Sequence, residues 1–150
     1  MRLIVSMGLP PRELHPNSRA GWRAKATAKK NYRAKVGEPL AWAASLEAGK
    51  PKWPAAVVRL RYIFDKPARG AFQAHDGDNL IAWAKLPIDC LEAVELIAND
   101  RGLVYLPAEQ RQADPVDPIR DNPRLEIDVW PVESTDTIVS LWLEALSYDD

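Results

Sequence analysis

"AAVVRLRYIFD" (residues 55–65) is the stretch on which the fold turns. Val58, Leu60, Tyr62 and Phe64 alternate with Arg59, Arg61 and Asp65, and this period of two predicts a strand with one buried face. The strand ends near Asp65, and the segments on either side fall into order around it. Upstream, "RLIVSMGL" (2–9) is apolar, β-branched and stopped by Pro10-Pro11, which predicts a first strand. Between the two strands, Asn17 and Ser18 are placed to cap a stretch rich in Ala, Lys and Arg. A helix is predicted there from about Ala20 to Val36, resuming after Pro39 through "AWAASLEAG". Downstream, "KPARGAFQAHDG" is a loop leading into "DNLIAWAKLPIDCLEAVELIAN". In that segment Leu80, Trp83 or Ala84, Leu91, Val94 and Ala98 recur at helical spacing. Pro87 lacks an amide proton and is expected to kink or split this second helix.

After "NDRG" come two more predicted strands, "LVYLPAEQRQ" and "RLEIDVWPV", separated by the Pro- and Asp-rich loop "ADPVDPIRDNP". The tail "DTIVSLWLEALSYDD" sets Ile138, Leu141, Trp142 and Leu146 on one side of a short closing helix or partner-binding segment. The order β-α-β-α-β-β predicts an α+β fold: a small mixed sheet of about four strands with helices packed on it. A chain of 150 residues, 47% hydrophobic, suffices for one domain with a real core.

Composition narrows the function. No apolar run approaches the roughly 20 residues of a membrane span, and the N-terminus has no small-residue cleavage site of the secretory kind, so the expected location is the cytoplasm. The single cysteine, Cys90, excludes an internal disulfide and a thiolate zinc site. Its apolar neighbours in "PIDCLEAVELI" predict a buried, inert thiol. The net charge of −1 hides an asymmetry: residues 1–75 hold fifteen Lys and Arg against four Asp and Glu, whereas residues 76–150 hold five against seventeen. Within "RAGWRAKATAKKNYRAK" (19–35), Arg19, Arg23, Lys25, Lys29, Lys30, Arg33 and Lys35 stand without one acid. Such a block faces a polyanion or lies against the acidic half of the chain. Because like charges at i,i+4 weaken a helix, a phosphate backbone is the natural partner.

"HDGDNLIAWAK" (75–85) places Asp76 and Asp78 about Gly77 where a loop meets a helix. The pair serves equally as a turn or as half of a metal site, and Asp78 or Asn79 is also placed to cap the helix. Asp100 adds a third carboxylate at the far end of the same helix. Carboxylates clustered in a dry cleft repel one another unless a divalent cation joins them. Few hard oxygen ligands per ion suit Mg²⁺ or Mn²⁺. An EF-hand is excluded, since the position two after Asp78 is Leu80 and no glycine follows in register.

The series Asp76-Gly77-Asp78-Asn79-Leu80, then Lys85, Asp89 and Leu91, then Asp100, resembles the signature of RusA-type Holliday-junction resolvases. That signature is D-x-D-N-L, a helix lysine within K-x-x-x-D-x-L, and an acidic pair eleven residues beyond the second aspartate. The resemblance covers about Arg2 to Val132, making 1–132 a RusA-like core and 133–150 a C-terminal extension. It implies a homodimeric, Mg²⁺-dependent endonuclease that cuts symmetrically across four-way DNA junctions. Asp76, Asp78 and Asp100 would bind metal, with Lys85 assisting at the phosphate. Two departures stand out: Asn99-Asp100 replaces the acidic pair, and the step from Asn79 to Lys85 is longer than in the shortest members.

Other residues carry plainer expectations. His75 and His15 read as solvated loop histidines, and Asp89 as a partner for a cation or a support for Lys85. Among the tryptophans, Trp22 alone lies in the basic segment, where it could stack on a base. A homodimer is expected from the two-fold substrate, through Ile138, Leu141 and Trp142 and whichever sheet face the helices leave bare. Two further readings are a non-catalytic DNA-binding accessory that uses its carboxylates only for capping and ion pairs, and a metal-dependent nuclease acting on other branched DNA.

Overall fold

The computed structural model describes residues 2–117, 119–132 and 135–147, with the backbone alone for 135–137. Strand β1 (Leu3–Met7) leads through a single 3₁₀ turn at Arg12–Leu14 into helix α1 (Trp22–Ser45), and β2 (Ala56–Phe64) follows. Two short helices, α2 (Gly77–Trp83) and α3 (Lys85–Ala93), then lead through a 3₁₀ turn at Asp100–Gly102 to β3 (Leu103–Tyr105). Strands β4 (Glu109–Gln112) and β5 (Arg124–Pro131) and helix α4 (Thr135–Ser147) complete an α+β domain. No described helix is long and apolar enough to cross a membrane.

β2 is the centre of a five-stranded mixed sheet: it pairs antiparallel with β5, which pairs with β1, and parallel with both β3 and β4 on its other edge. The parallel pairing obliges the chain to return to the start of β2 before β3 begins, and α2–α3 is that crossover. Ala56, Val58, Leu60 and Tyr62 of β2 face the same core as Leu3, Val5 and Met7 of β1 and Leu125, Ile127 and Val129 of β5. Tyr32, Val36, Leu40 and Ala43 of α1, with residues of α2 and α3, cover that face.

Four expectations are corrected. First, β2 is buried on both faces rather than one, with Val57, Arg59 and Ile63 as inaccessible as their neighbours: helices cover one face, and on the other Arg59 lies against Asp128 and the Trp130 ring. Second, α1 runs unbroken through Pro39. The stripe from Tyr32 to Ala43 buries apolar surface on both sides of the proline, which outweighs the roughly 3 kcal/mol a helical proline costs. Third, Asn17 and Ser18 do not cap α1: its N-cap is Gly21, without a side-chain bond. Ser18 instead accepts from the Ala20 amide at 3.2 Å.

Fourth, "LVYLPAEQRQ" forms two strands, which makes five in all. From Tyr105 to Glu109 the edge advances four residues while β2 advances three, from Val58 to Arg61. The extra residue is absorbed at Pro107, which has no amide to give to the ladder. The split expected near Pro87 occurs at Ala84, the junction of α2 and α3, and Pro87 sits in the first turn of α3, where its missing amide is tolerated. Gly102 is required by contact rather than by its dihedral angles, since a Cβ there would meet the Pro54 carbonyl oxygen at 2.2 Å.

Candidate functional site

The loop after β2 is stapled to β4 at one residue: the His75 amide donates to Gln110 Oε1 at 2.7 Å, and Gln110 Nε2 donates to the His75 carbonyl at 2.7 Å. The next residue, Asp76, is the N-cap of α2, its Oδ1 accepting from the Asp78 amide at 3.1 Å. The cap is therefore Asp76, not Asp78 or Asn79, and the bond from one backbone amide to a carboxylate oxygen is what orients the start of α2. The tie between β2 and α2 continues in the core, where the Tyr62 hydroxyl donates to the Leu80 carbonyl at 2.7 Å. Burial raises that hydroxyl well above the usual phenol range, so it stays protonated.

Asp76 and Asp78 are both exposed, rather than sunk in a dry cleft. Among the described residues no cation lies within ion-pair distance of either, and the Asp78 carboxylate accepts no hydrogen bond. Such a pair of hard oxygen donors suits Mg²⁺ or Mn²⁺, which bind through one or two carboxylates and complete their shells with water and phosphate oxygens.

Asp100 belongs to a different end of the molecule. The parallel register sets Leu103 beside Ala56 and Gln110 beside Tyr62, about 20 Å apart along a strand. Asp76 follows the residue bound to Gln110, whereas Asp100 opens the turn into Leu103. Its neighbours are Tyr105 and Asp89: burial raises the Tyr105 hydroxyl, and the charges of Asp100 and Asp89 add to the rise. Among the described residues no group of three or more His, Cys, Asp or Glu is close enough to hold a metal ion. Lys85, at the start of α3, is exposed and pairs with Asp89 at 3.0 Å, which is the pairing expected of Asp89. Cys90 is buried as expected, and burial raises its thiol.

The basic block is exposed for much of its length. From Trp22 to Asn31 helix α1 buries nothing; only Lys25 and Ala28 are half covered. Arg23 lies over the Trp22 ring at 5.2 Å, with that ring 75% exposed. Among the described residues, Arg19, Arg23, Lys25, Lys29, Lys30, Arg33 and Lys35 enter no salt bridge. The option of a basic helix lying against the acidic half is thus not taken by these residues.

The two histidines are where sequence reasoning missed most. His15 and His75, sixty residues apart, have ring centroids 5.5 Å apart, and the Trp83 ring meets His15 edge-on at 5.0 Å. Phe64 stacks on His75 at 4.9 Å. His15 Nδ1 accepts from the Asn17 amide at 3.1 Å, which leaves the proton of the neutral ring on Nε2, a buried atom without a partner among the described residues. Burial, with His15 second, lowers the His75 pKa. The one signal in the sequence was adjacency of His75 to the acidic pair.

The sheet face opposite α1–α3 carries an ionic cluster. Asp128, fully buried, accepts from Arg2 Nε at 2.6 Å and Arg59 at 2.9 Å, with Arg61 at 3.6 Å. Arg2 and Arg59 both lie over the Trp130 ring. In α4, Ile138, Leu141 and Trp142 are half-buried as expected for one face, while Leu146 is exposed together with Val139 and Leu143. No protein-family model matches the chain, and no curated protein matches it as a relative.

Proposed function

We propose that this chain is a metal-dependent endonuclease of the RusA kind, acting on branched DNA and on four-way junctions in particular. The observation that carries the reading is the exposed Asp76–Asp78 pair, which among the described residues has no cation beside it, on a chain whose basic helix has, among the same residues, no anion beside it. Each lacks what the other's ligand would supply, and a phosphodiester with its counter-cation supplies both.

Asp76 and Asp78 would hold Mg²⁺ or Mn²⁺ through the oxygens that capping leaves free. The chemistry such a cation would supply there is a bound water of lowered pKa and a counter-charge for the phosphoryl oxygens. The Asp78 carboxylate would orient the attacking water and accept its proton. The cations Arg19, Arg23, Lys25, Lys29, Lys30 and Arg33 would hold the backbone. Lys85 pairs with Asp89 and Asp100 stands at the other end of β2, so the proposed cation site rests on Asp76 and Asp78. Two coordinated cuts in a two-fold junction call for a homodimer.

The test is cleavage of a synthetic four-way junction, with linear and flapped duplexes alongside, in Mg²⁺ and in chelator. Paired nicks in the junction that need Mg²⁺ support the reading. Binding without cutting, in Mg²⁺ or in Mn²⁺, would replace it with the accessory role, and equal cutting of flaps would widen the substrate to other branched DNA.

A further inference from the structure

Beside Asp76 lies an open groove of about 1130 Å³, walled by residues 9–12, His15, Asn17 and Ser18 on one side and by residues 64–73 and His75 on the other. It exceeds the roughly 300–1000 Å³ of ordinary small-molecule pockets. Its floor is aromatic: Phe72 lies 5.8 Å from Phe64, which stacks on His75, and His75 meets His15. Phe72, His15 and His75 are only half-buried, so part of each ring remains available. Its rim is cationic. Arg12, Lys66 and Arg69 are exposed and, among the described residues, unpaired, and Asp65 is the sole carboxylate in the lining.

Aromatic faces and free cations in one groove select among ligands. A duplex backbone would use the cations and leave the rings idle. An apolar peptide would do the reverse. An unstacked base with its phosphates uses both, because every base has a face to stack and every linkage a negative charge.

We infer that this groove holds an unpaired nucleotide of a nucleic-acid strand, with its base against Phe72 and His75 and its phosphates among Arg12, Lys66 and Arg69. The inference rests on the nucleic-acid reading above and deepens it. His75 immediately precedes Asp76, so a strand anchored by its base in the groove reaches the carboxylates with a neighbouring phosphodiester. The substrate is then DNA in which at least one nucleotide beside the cut is splayed out.

Binding in metal-free buffer tests this without reference to cleavage. The probes are an octathymidylate and an abasic deoxyribose-phosphate chain of equal length. The octathymidylate should bind about 5- to 150-fold more tightly, the range for stacking one base. Phe72→Ala should remove that preference and leave the abasic affinity unchanged. Phe72→Leu, which keeps apolar bulk without a ring, should do the same and serves if the alanine variant fails to fold. Lys66→Ala with Arg69→Ala should weaken both probes by one factor and reduce the salt dependence. Equal affinity for the two probes, or a preference that survives both Phe72 variants, overturns the inference. A preserved preference in a protein that cuts no junction would overturn the nuclease reading alone.

Discussion

Asp128 and Asp78 are the same residue in opposite circumstances. Asp128 lies in the middle of β5, inaccessible to solvent, with three arginines gathered round it. Asp78 lies in the first turn of α2, exposed, and no cation approaches it among the described residues. A buried carboxylate without partners would take up a proton, so the arginines are the condition of its charge. The Asp78 carboxylate faces solvent, which a ligand can displace. The first charge has been consumed by folding, and the second remains for chemistry.

The comparison breaks most sharply at Asp128. Asp128→Ala should destabilise the protein by about 3–5 kcal/mol, because Arg2 and the buried Arg59 would lose their nearest counter-charge, with Glu109 left at 3.7 Å from Arg59 and 2.7 Å from Arg61. Urea unfolding measures it, and a loss below about 1 kcal/mol would mean that the cluster is solvated. Replacing Asp128 by Leu and Arg59 by Met together should restore much of that loss, since well-packed apolar side chains often equal a buried ion pair.

At the other carboxylates the expectation reverses. Asp76→Asn and Asp78→Asn should leave the urea midpoint nearly unchanged, as asparagine caps a helix about as well as aspartate. Cleavage should fall by roughly 10²–10⁴-fold in either variant, with junction binding retained or tightened. Full cleavage in either one would remove the carboxylates from the site. Asp100→Asn, by the same assay, reports whether the third carboxylate joins them.

A smaller effect belongs to the basic helix. Reversing Lys29, Lys30 and Arg33 to Glu should flatten the slope of log affinity against log salt by roughly 0.7–0.9 for each phosphate that the helix no longer neutralises. An unchanged slope would show that this part of α1 does not touch DNA. The fold itself should tolerate the change, for these side chains are exposed.

The smallest effect is on pH dependence. Burial and His15 lower the His75 pKa in the folded protein, so the unfolded chain binds the proton more readily. Stability is then full above the ordinary histidine value of about 6.5 and declines as the pH falls through it toward the folded value. Urea midpoints at pH 7.5 and 5.5 should differ less in His75→Gln than in the parent.

How much of this is legible in the sequence varies from element to element. The strand at 56–64, the helix stripe of Tyr32, Val36 and Leu40, and the helix opening beside the acidic pair follow from side-chain period and capping, which are local properties. The second buried face of β2 is hidden there, because Arg59 and Arg61 in an alternating strand look like the solvent side. The antiparallel register that sets Arg59 against Asp128 and the parallel register that sets Arg61 against Glu109 neutralise them.

By itself the sequence determined the type and order of the elements, one apolar face for each, and an unbroken run of cations at the start of α1. Tertiary structure alone decided which carboxylates are spent on ion pairs, that His15 and His75 meet across sixty residues, and that Asp100 stands at the other end of β2 from Asp76. Periodicity is written within a few residues, and the chain can display it before it folds. Which distant charges and rings become neighbours depends on the register and the crossover that pair β2 with β5, β3 and β4, and those exist only once the sheet has formed.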